Sequence, residues 1–179
     1  MKTIVLVAPT AEPVTLDEAK EQLRIEASFT EDDSYITSLI SVARDRCESY
    51  CNQFFTVQDI KILYQGFIPT IIPLPYPDLT VTSVTYTDTD GALQTVNPIN
   101  YIVDPVNQTI TFTEVFSSLN YQVLATTSAP VQIVGVEQAI KIILTDLYEL
   151  RTETAVGVSL AENPAVKAML YPYRESLGI

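Results

Sequence analysis

The chain has 179 residues, 22 of them acidic and 10 basic, a net charge of −12 and no histidine. A chain of this length forms one domain, or one domain carrying a smaller insert, and buries about 70% of its unfolded surface, so it folds without metal or disulfide. The missing histidine removes Ser-His-Asp and Cys-His nucleophiles, histidine zinc sites and histidine pH switches, while the acidic surface repels nucleic acid instead of gripping phosphates.

The first apolar run, Ile4 to Ala8, ends at Pro9 and is too short for a secretory signal. No stretch approaches the ~18 apolar residues of a membrane span. With two cysteines only, Cys47 and Cys51, the sequence reads as a soluble protein made in a reducing cytoplasm. Helical signals begin at Pro13. Thr15 followed by Glu18 forms a capping box, opening a short helix that ends near Ile25 with Leu16, Ala19 and Leu23 on its apolar face. Thr30 opens a second helix, predicted over residues 31–52, where Glu31, Asp32 and Asp33 put negative charge on the positive end of the dipole. Tyr35, Ile36, Leu39, Ile40, Ala43, Cys47, Tyr50 and Cys51 then recur at helical spacing. Arg44, Asp45, Arg46 and Glu48 fall mostly off that stripe.

From Thr56 to Val134 the period changes to two. Residues 60–64 read as a strand stopped by Gly66, and Pro69, Pro73, Pro75 and Pro77 reduce the next stretch to an extended edge or loop. Residues 81–86 and 93–96 flank Asp88-Thr89-Asp90-Gly91, and Asp-Gly is a strong hairpin signal. Residues 101–103 and 109–112 flank a second turn beginning at Asp104. Residues 121–124 and 131–134 complete the set. Gly135 returns the chain to helix, with Val136, Ala139, Ile140, Ile143, Leu144, Leu147 and Tyr148 on a stripe that Ile142 and Leu150 widen. So broad a stripe predicts a helix enclosed on several sides, ending near Arg151. After a connection over residues 152–162, Asn163 caps a last helix with Pro164 at its first position, and Pro172 ends or kinks it. The expected architecture is α+β: a helical bundle from residues 1–55 and 135–179, interrupted by a small antiparallel β-sandwich or barrel at residues 56–134.

Each candidate site has a simpler structural account. Cys47 and Cys51 at i and i+4 supply half a metal site, but no third Cys or His completes it, so they read as small hydrophobes in a core. Asp88, Asp90 and Asp104 lack the spacing and closing Glu of a calcium loop and are favoured turn residues. A glycosidase-like carboxylate pair finds no pocket-forming motif, and Glu31, Asp32 and Asp33 belong to a helix start. The five glycines are scattered singly, so no phosphate loop exists. No catalytic, cofactor-binding or metal-binding residue is assigned. Tyr171 and Tyr173 around Pro172, with Arg174, make a docking segment, to be weighed against packing on the chain's own helices.

The ordered series of segments resembles phage head–tail connector (adaptor) proteins, in the subgroup with a β insert between two long helices. Four stretches carry the resemblance: residues 13–25, the acidic cap leading to residues 35–51, residues 139–151 with Tyr148-Glu149-Leu150-Arg151, and residues 163–174 from Asn163-Pro164 to Tyr171-Pro172-Tyr173-Arg174. Within the insert, Leu74-Pro75, residues 81–86 and Asp90-Gly91 are similar to that subgroup. The resemblance implies a structural virion protein, assembled in the host cytoplasm into a homo-oligomeric ring of about twelve subunits in the neck, closed by head-to-tail contacts. Such a ring sits beneath the portal protein, meets a stopper or tail-completion protein, and extends a channel through which DNA passes without specific binding. It implies no cofactor, no catalysis and no membrane. By position, Asn163, Pro164, Tyr171, Pro172, Tyr173 and Arg174 would dock on the portal. Two other readings compete. One is another neck or tail-completion component, against which the long helices weigh. The other is a β-sandwich ligand-binding module on a helical stalk, weakened for sugars because the insert has Tyr64, Tyr76, Tyr86 and Tyr101 but no tryptophan.

Overall fold

Apolar side chains that recur every three or four residues build helices at both ends of the chain, and two-residue alternation builds strands between them. The structure is a computed structural model and describes residues 1–65, 70–114, 120–130, 133–150 and 163–175. It divides into two compact units, Met1–Thr10 with Thr56–Ala129 and Ala11–Phe55 with Pro130–Ile179. The fold class is α+β.

The helical unit contains α1 (Leu16–Leu23), α2 (Asp33–Cys51), α3 (Val134–Glu149) and α4 (Pro164–Leu170), followed by one 3₁₀ turn, Tyr171–Tyr173. The capping box forms as the sequence predicts: Thr15 Oγ1 accepts from the Glu18 amide at 3.3 Å, and Glu18 Oε2 accepts from the Thr15 amide at 2.9 Å. Arg24 in the left-handed region (φ 58°) ends α1. Ile36, Ile40, Ala43 and Cys47 of α2 meet Val136, Ala139, Ile140 and Leu144 of α3 in one core, which Val14, Phe55, Val166 and Leu170 extend. Each buried Ile, Leu or Phe contributes about 1.5–3 kcal/mol, so this core, not helix propensity, fixes the unit. One expectation changes here: Arg44 and Glu48, placed off the apolar stripe by sequence, are buried. The breadth of the α3 stripe is matched by its neighbours: α3 packs against α1, α2 and α4, with Ile142, Ile143 and Leu147 half-buried against the core.

The other unit holds β1 (Lys2–Val7), β2 (Asp59–Gln65), β3 (Ile71–Pro73), β4 (Thr80–Thr87), β5 (Leu93–Thr95), β6 (Tyr101–Asp104), β7 (Thr109–Phe112) and β8 (Asn120–Thr126). They form two antiparallel sheets, ordered β1-β2-β8-β4-β5 and β3-β7-β6. Ile60, Ile62, Tyr64, Val84, Tyr121 and Val123 are buried on the larger sheet, and Ile72, Ile110 and Phe112 on the smaller. The sheets touch where Tyr64 Oη donates to the Pro73 carbonyl at 2.6 Å and where the Phe112 and Tyr121 rings stand 5.4 Å apart. Among the described residues both sheets end in edge strands, which makes the insert an open sandwich and not a closed barrel.

Residues 1–10 depart from the predicted division, which puts them with the helices. Lys2–Val7 pairs with β2 instead, in the register Lys2↔Leu63 to Val7↔Asp59 with an irregularity between Val5 and Val7. An apolar run without alternation carries no sign of a strand partner so distant in sequence. The predicted strand at 131–134 is also revised. Val134 opens α3, while Val131 and Gln132 lie outside the described residues, as do Gly66, Arg151 and the connection at 152–162. The proline-rich stretch expected as edge or loop supplies the short β3, which pairs with β7.

Candidate assembly surface

α4 begins as its sequence dictates. Asn163 Oδ1 accepts from the Ala165 amide at 3.0 Å, and Pro164 takes the first turn, where its missing N–H costs nothing. Helical spacing then divides the segment into two faces. Val166 and Leu170 point into the core at 9% and 2% exposure, whereas Pro164, Ala168 and Tyr171 point outward, Tyr171 at 71%. The six residues singled out by sequence fall on both sides. Asn163, Pro164, Tyr171 and Pro172 are exposed. Tyr173 is half-buried: its ring meets Phe55 edge-on at 6.3 Å, its Oη accepts from the Gly135 amide at 3.4 Å, and its carbonyl accepts from the Gln53 side chain. Arg174 lies exposed over the Tyr50 ring, 5.5 Å from its centroid. The chain is held further by the Glu175 amide donating to the Cys51 carbonyl at 2.8 Å. Tyr173 and Arg174 thus fasten the segment that displays Tyr171 and Pro172. Sequence reasoning did not single out Val134, which is 67% exposed beside Gly135, the glycine that Tyr173 covers.

Charged groups lock the frame beneath this surface. Arg44 pairs with Glu12 at 2.7 Å, Glu48 at 2.7 Å and Asp45 at 2.9 Å. Burial pushes the Glu48 carboxyl above its ordinary value, and the Phe55 amide and Arg44 offset this only in part. Glu12 thereby ties the strand-to-helix connection to α2, and Glu48 closes the turn after it. Asp32 and Asp33 do more than open α2: Asp32 accepts from the Tyr148 hydroxyl, and Asp33 pairs with buried Lys20, which also donates to the Phe29 carbonyl at 2.8 Å.

The remaining candidates serve the fold. Cys47 and Cys51 are fully buried free thiols, pushed up by that burial to about 12 and about 11. Asp88 accepts from the amides of Asp90 (3.0 Å) and Ala92 (2.8 Å) and from the Gln94 side chain (2.9 Å), while Asp104 accepts from the amides of Val106 (2.9 Å) and Asn107 (3.0 Å). These hydrogen bonds hold both carboxyls below their usual range, Asp88 chiefly through Gln94 and Asp104 chiefly through the Asn107 amide. Among the described residues no group of three Cys, Asp or Glu side chains is placed to share a metal ion, and no helix is long and apolar enough to cross a membrane.

Residues 13–72, which run from the first helical turn through α2 and β2, match the family model described as phage gp6-like head–tail connector protein. That match spans about a third of the chain. Solved structures extend the likeness in fold over nearly the whole chain. A chain from the neck of an empty gene transfer agent particle, computed with C6 symmetry, superposes with a TM-score of 0.75 at 18% identity, covering 99% of this chain and 98% of that one. A chain from the neck of the native particle, computed with C12 symmetry, gives 0.73 at 17% identity over the same shares. One from the virion of the native particle gives 0.70 at 19% identity, again over 99% and 98%. Identities this low establish a shared fold, including the β insert and the N-terminal strand. No curated protein aligns significantly with this sequence.

Proposed function

We propose that this chain is a head–tail connector, a structural adaptor of the virion neck that forms a ring of about twelve identical subunits, joins capsid to tail and lengthens the DNA exit channel. The observation that carries this reading is the family match over residues 13–72, from α1 through β2, supported by whole-chain likeness in fold to chains from the necks of rotationally symmetric particles. The surface fits a conduit: with −12 per copy, a ring wall repels phosphates and lets DNA slide where cationic contacts would hold it. Its role is scaffolding and not catalysis.

The portal side is assigned to the exposed face of the C-terminal segment, Asn163, Pro164, Tyr171 and Pro172, with Tyr173 and Arg174 holding it in place. Residues 163–175 carry two cations and one anion in an otherwise acidic chain, which favours contact there. A stopper or tail-completion protein takes the opposite side of the ring, and the neck assembles in the host cytoplasm. Like charge opposes closure at low salt, where the screening length reaches about 30 Å at 0.01 M, so a portal template is expected to promote the ring. Electron microscopy of the purified protein, alone and with its portal, tests this. Rings of about twelve subunits appearing with portal support it; a monomer that ignores the portal refutes it. Tyr171→Ala is expected to keep the fold, since the side chain is exposed, and to lose portal binding.

A further inference from the structure

β1 overhangs the sandwich. Among the described residues it pairs with β2 alone, and Ile4, Val5, Leu6 and Val7 are 37%, 47%, 46% and 52% exposed. Successive side chains of a strand point to opposite faces, so this edge is apolar on both. A long apolar edge is a template for strand addition and a liability unless something covers it. The other edge of the same sheet is equally bare: all three residues of β5 are exposed, Leu93 at 60%, and the Val96 amide, donating to the Val84 carbonyl at 2.9 Å, prolongs that edge.

Charge selects the occupant. Copies carrying −12 repel on the whole, yet residues 1–11 contain no acidic residue and one lysine, and residues 91–97, which hold β5, contain no charged side chain. Both bare edges of the five-stranded sheet are therefore places where a like-charged copy can approach. Two β1 edges meeting each other would give a two-fold pair that stops at a dimer, whereas a ring needs two different surfaces. Four successive antiparallel pairings leave β1 and β5 running in the same direction. The step of about 30° between neighbours in a twelve-fold ring nearly preserves that direction. We propose that β1 of each copy docks in parallel beside β5 of the next, continuing the five-stranded sheet from subunit to subunit. This rests on the ring reading above and names the surface that closes the ring.

Cross-linking tests it on the full-length protein. Val5→Cys is combined in turn with Leu93→Cys, Gln94→Cys or Thr95→Cys, with the native thiols buried and largely protonated, and a short bis-maleimide is added under conditions where native mass measurement shows the ring. A covalent ladder rising to the full ring in at least one double variant, with monomers only in every single variant, is the expected result. A ring without a ladder overturns the β1–β5 contact and leaves the ring standing. Dimers from Val5→Cys alone also overturn it, because they report a two-fold edge contact. A protein that stays monomeric with and without portal overturns both. As a second variant, Val5→Lys puts a charge on the exposed edge and is expected to abolish the ring while leaving the monomer's circular dichroism unchanged; a ring of unchanged mass counts against the contact.

Discussion

Replacing Gly135 by alanine tests whether Tyr173 belongs to the body of the helical unit. At an ordinary helical position this change stabilises by up to about 1 kcal/mol. Here the new methyl would stand 2.9 Å from Cε2 and 3.3 Å from Oη of Tyr173, and 3.1 Å from the Met169 carbonyl oxygen. The ring can pivot only by giving up its edge contact with Phe55, worth about 0.5–1.5 kcal/mol, and the α4 backbone carbonyl yields less readily. Overpacking of this kind costs about 1–3 kcal/mol, so Gly135→Ala is expected to destabilise by about 1 kcal/mol net. Tyr173→Ala alone should cost about 2 kcal/mol, roughly half the loss for a fully buried ring. It also removes two of the three close contacts, so adding Gly135→Ala to it should be nearly neutral. The cycle then closes with about 1 kcal/mol of coupling. Urea unfolding followed by circular dichroism measures all four states. Stabilisation by Gly135→Ala in the native background, or strict additivity of the two changes, would refute the packing and free Tyr173 for an external partner.

Three further outcomes follow from the helical unit. Thr15→Ala should cost about 1 kcal/mol through loss of the capping box. Hydrogen bonds to Thr15 hold the Glu18 carboxyl below its ordinary 4.5, so the unfolded chain takes up that proton first. The carboxylate's contribution is full above that value and lost as pH falls through the lower folded one. Because the variant keeps the backbone N–H that lowers Glu18 most, the gap between wild type and Thr15→Ala should narrow in acid only by the share of the hydroxyl's bond to Glu18. Arg44→Ala strands Glu48 and Glu12 without their cation and should cost about 3–5 kcal/mol by denaturant titration; a loss below 1 kcal/mol would show the network to be ornamental. Cys47 and Cys51, with thiols near 12 and 11, should ignore a thiol reagent at pH 8 until the protein unfolds, and rapid labelling of the native chain would contradict their burial.

Local chemistry made much of this protein legible. The capping box at Thr15 and Glu18, the Asp88 and Asp104 hairpin turns, and the Asn163-Pro164 helix start each rest on neighbours within a few residues, so spacing alone reveals them. The period of the apolar pattern separates α2 and α3 from the strands for the same reason. What needed the fold was every pairing at long range. Only the sheet shows that Ile4 to Val7 form a strand beside β2, since nothing in an apolar run names its partner. Only the core shows that Arg44 and Glu48 turn inward, because their charges are compensated by Glu12 from outside the helix. Tyr171 and Tyr173 look alike in sequence, two aromatics flanking one proline. They part because α4 sets Val166 and Leu170 against the core, which carries Tyr173 inward against Phe55 and Gly135 and leaves Tyr171 in the open.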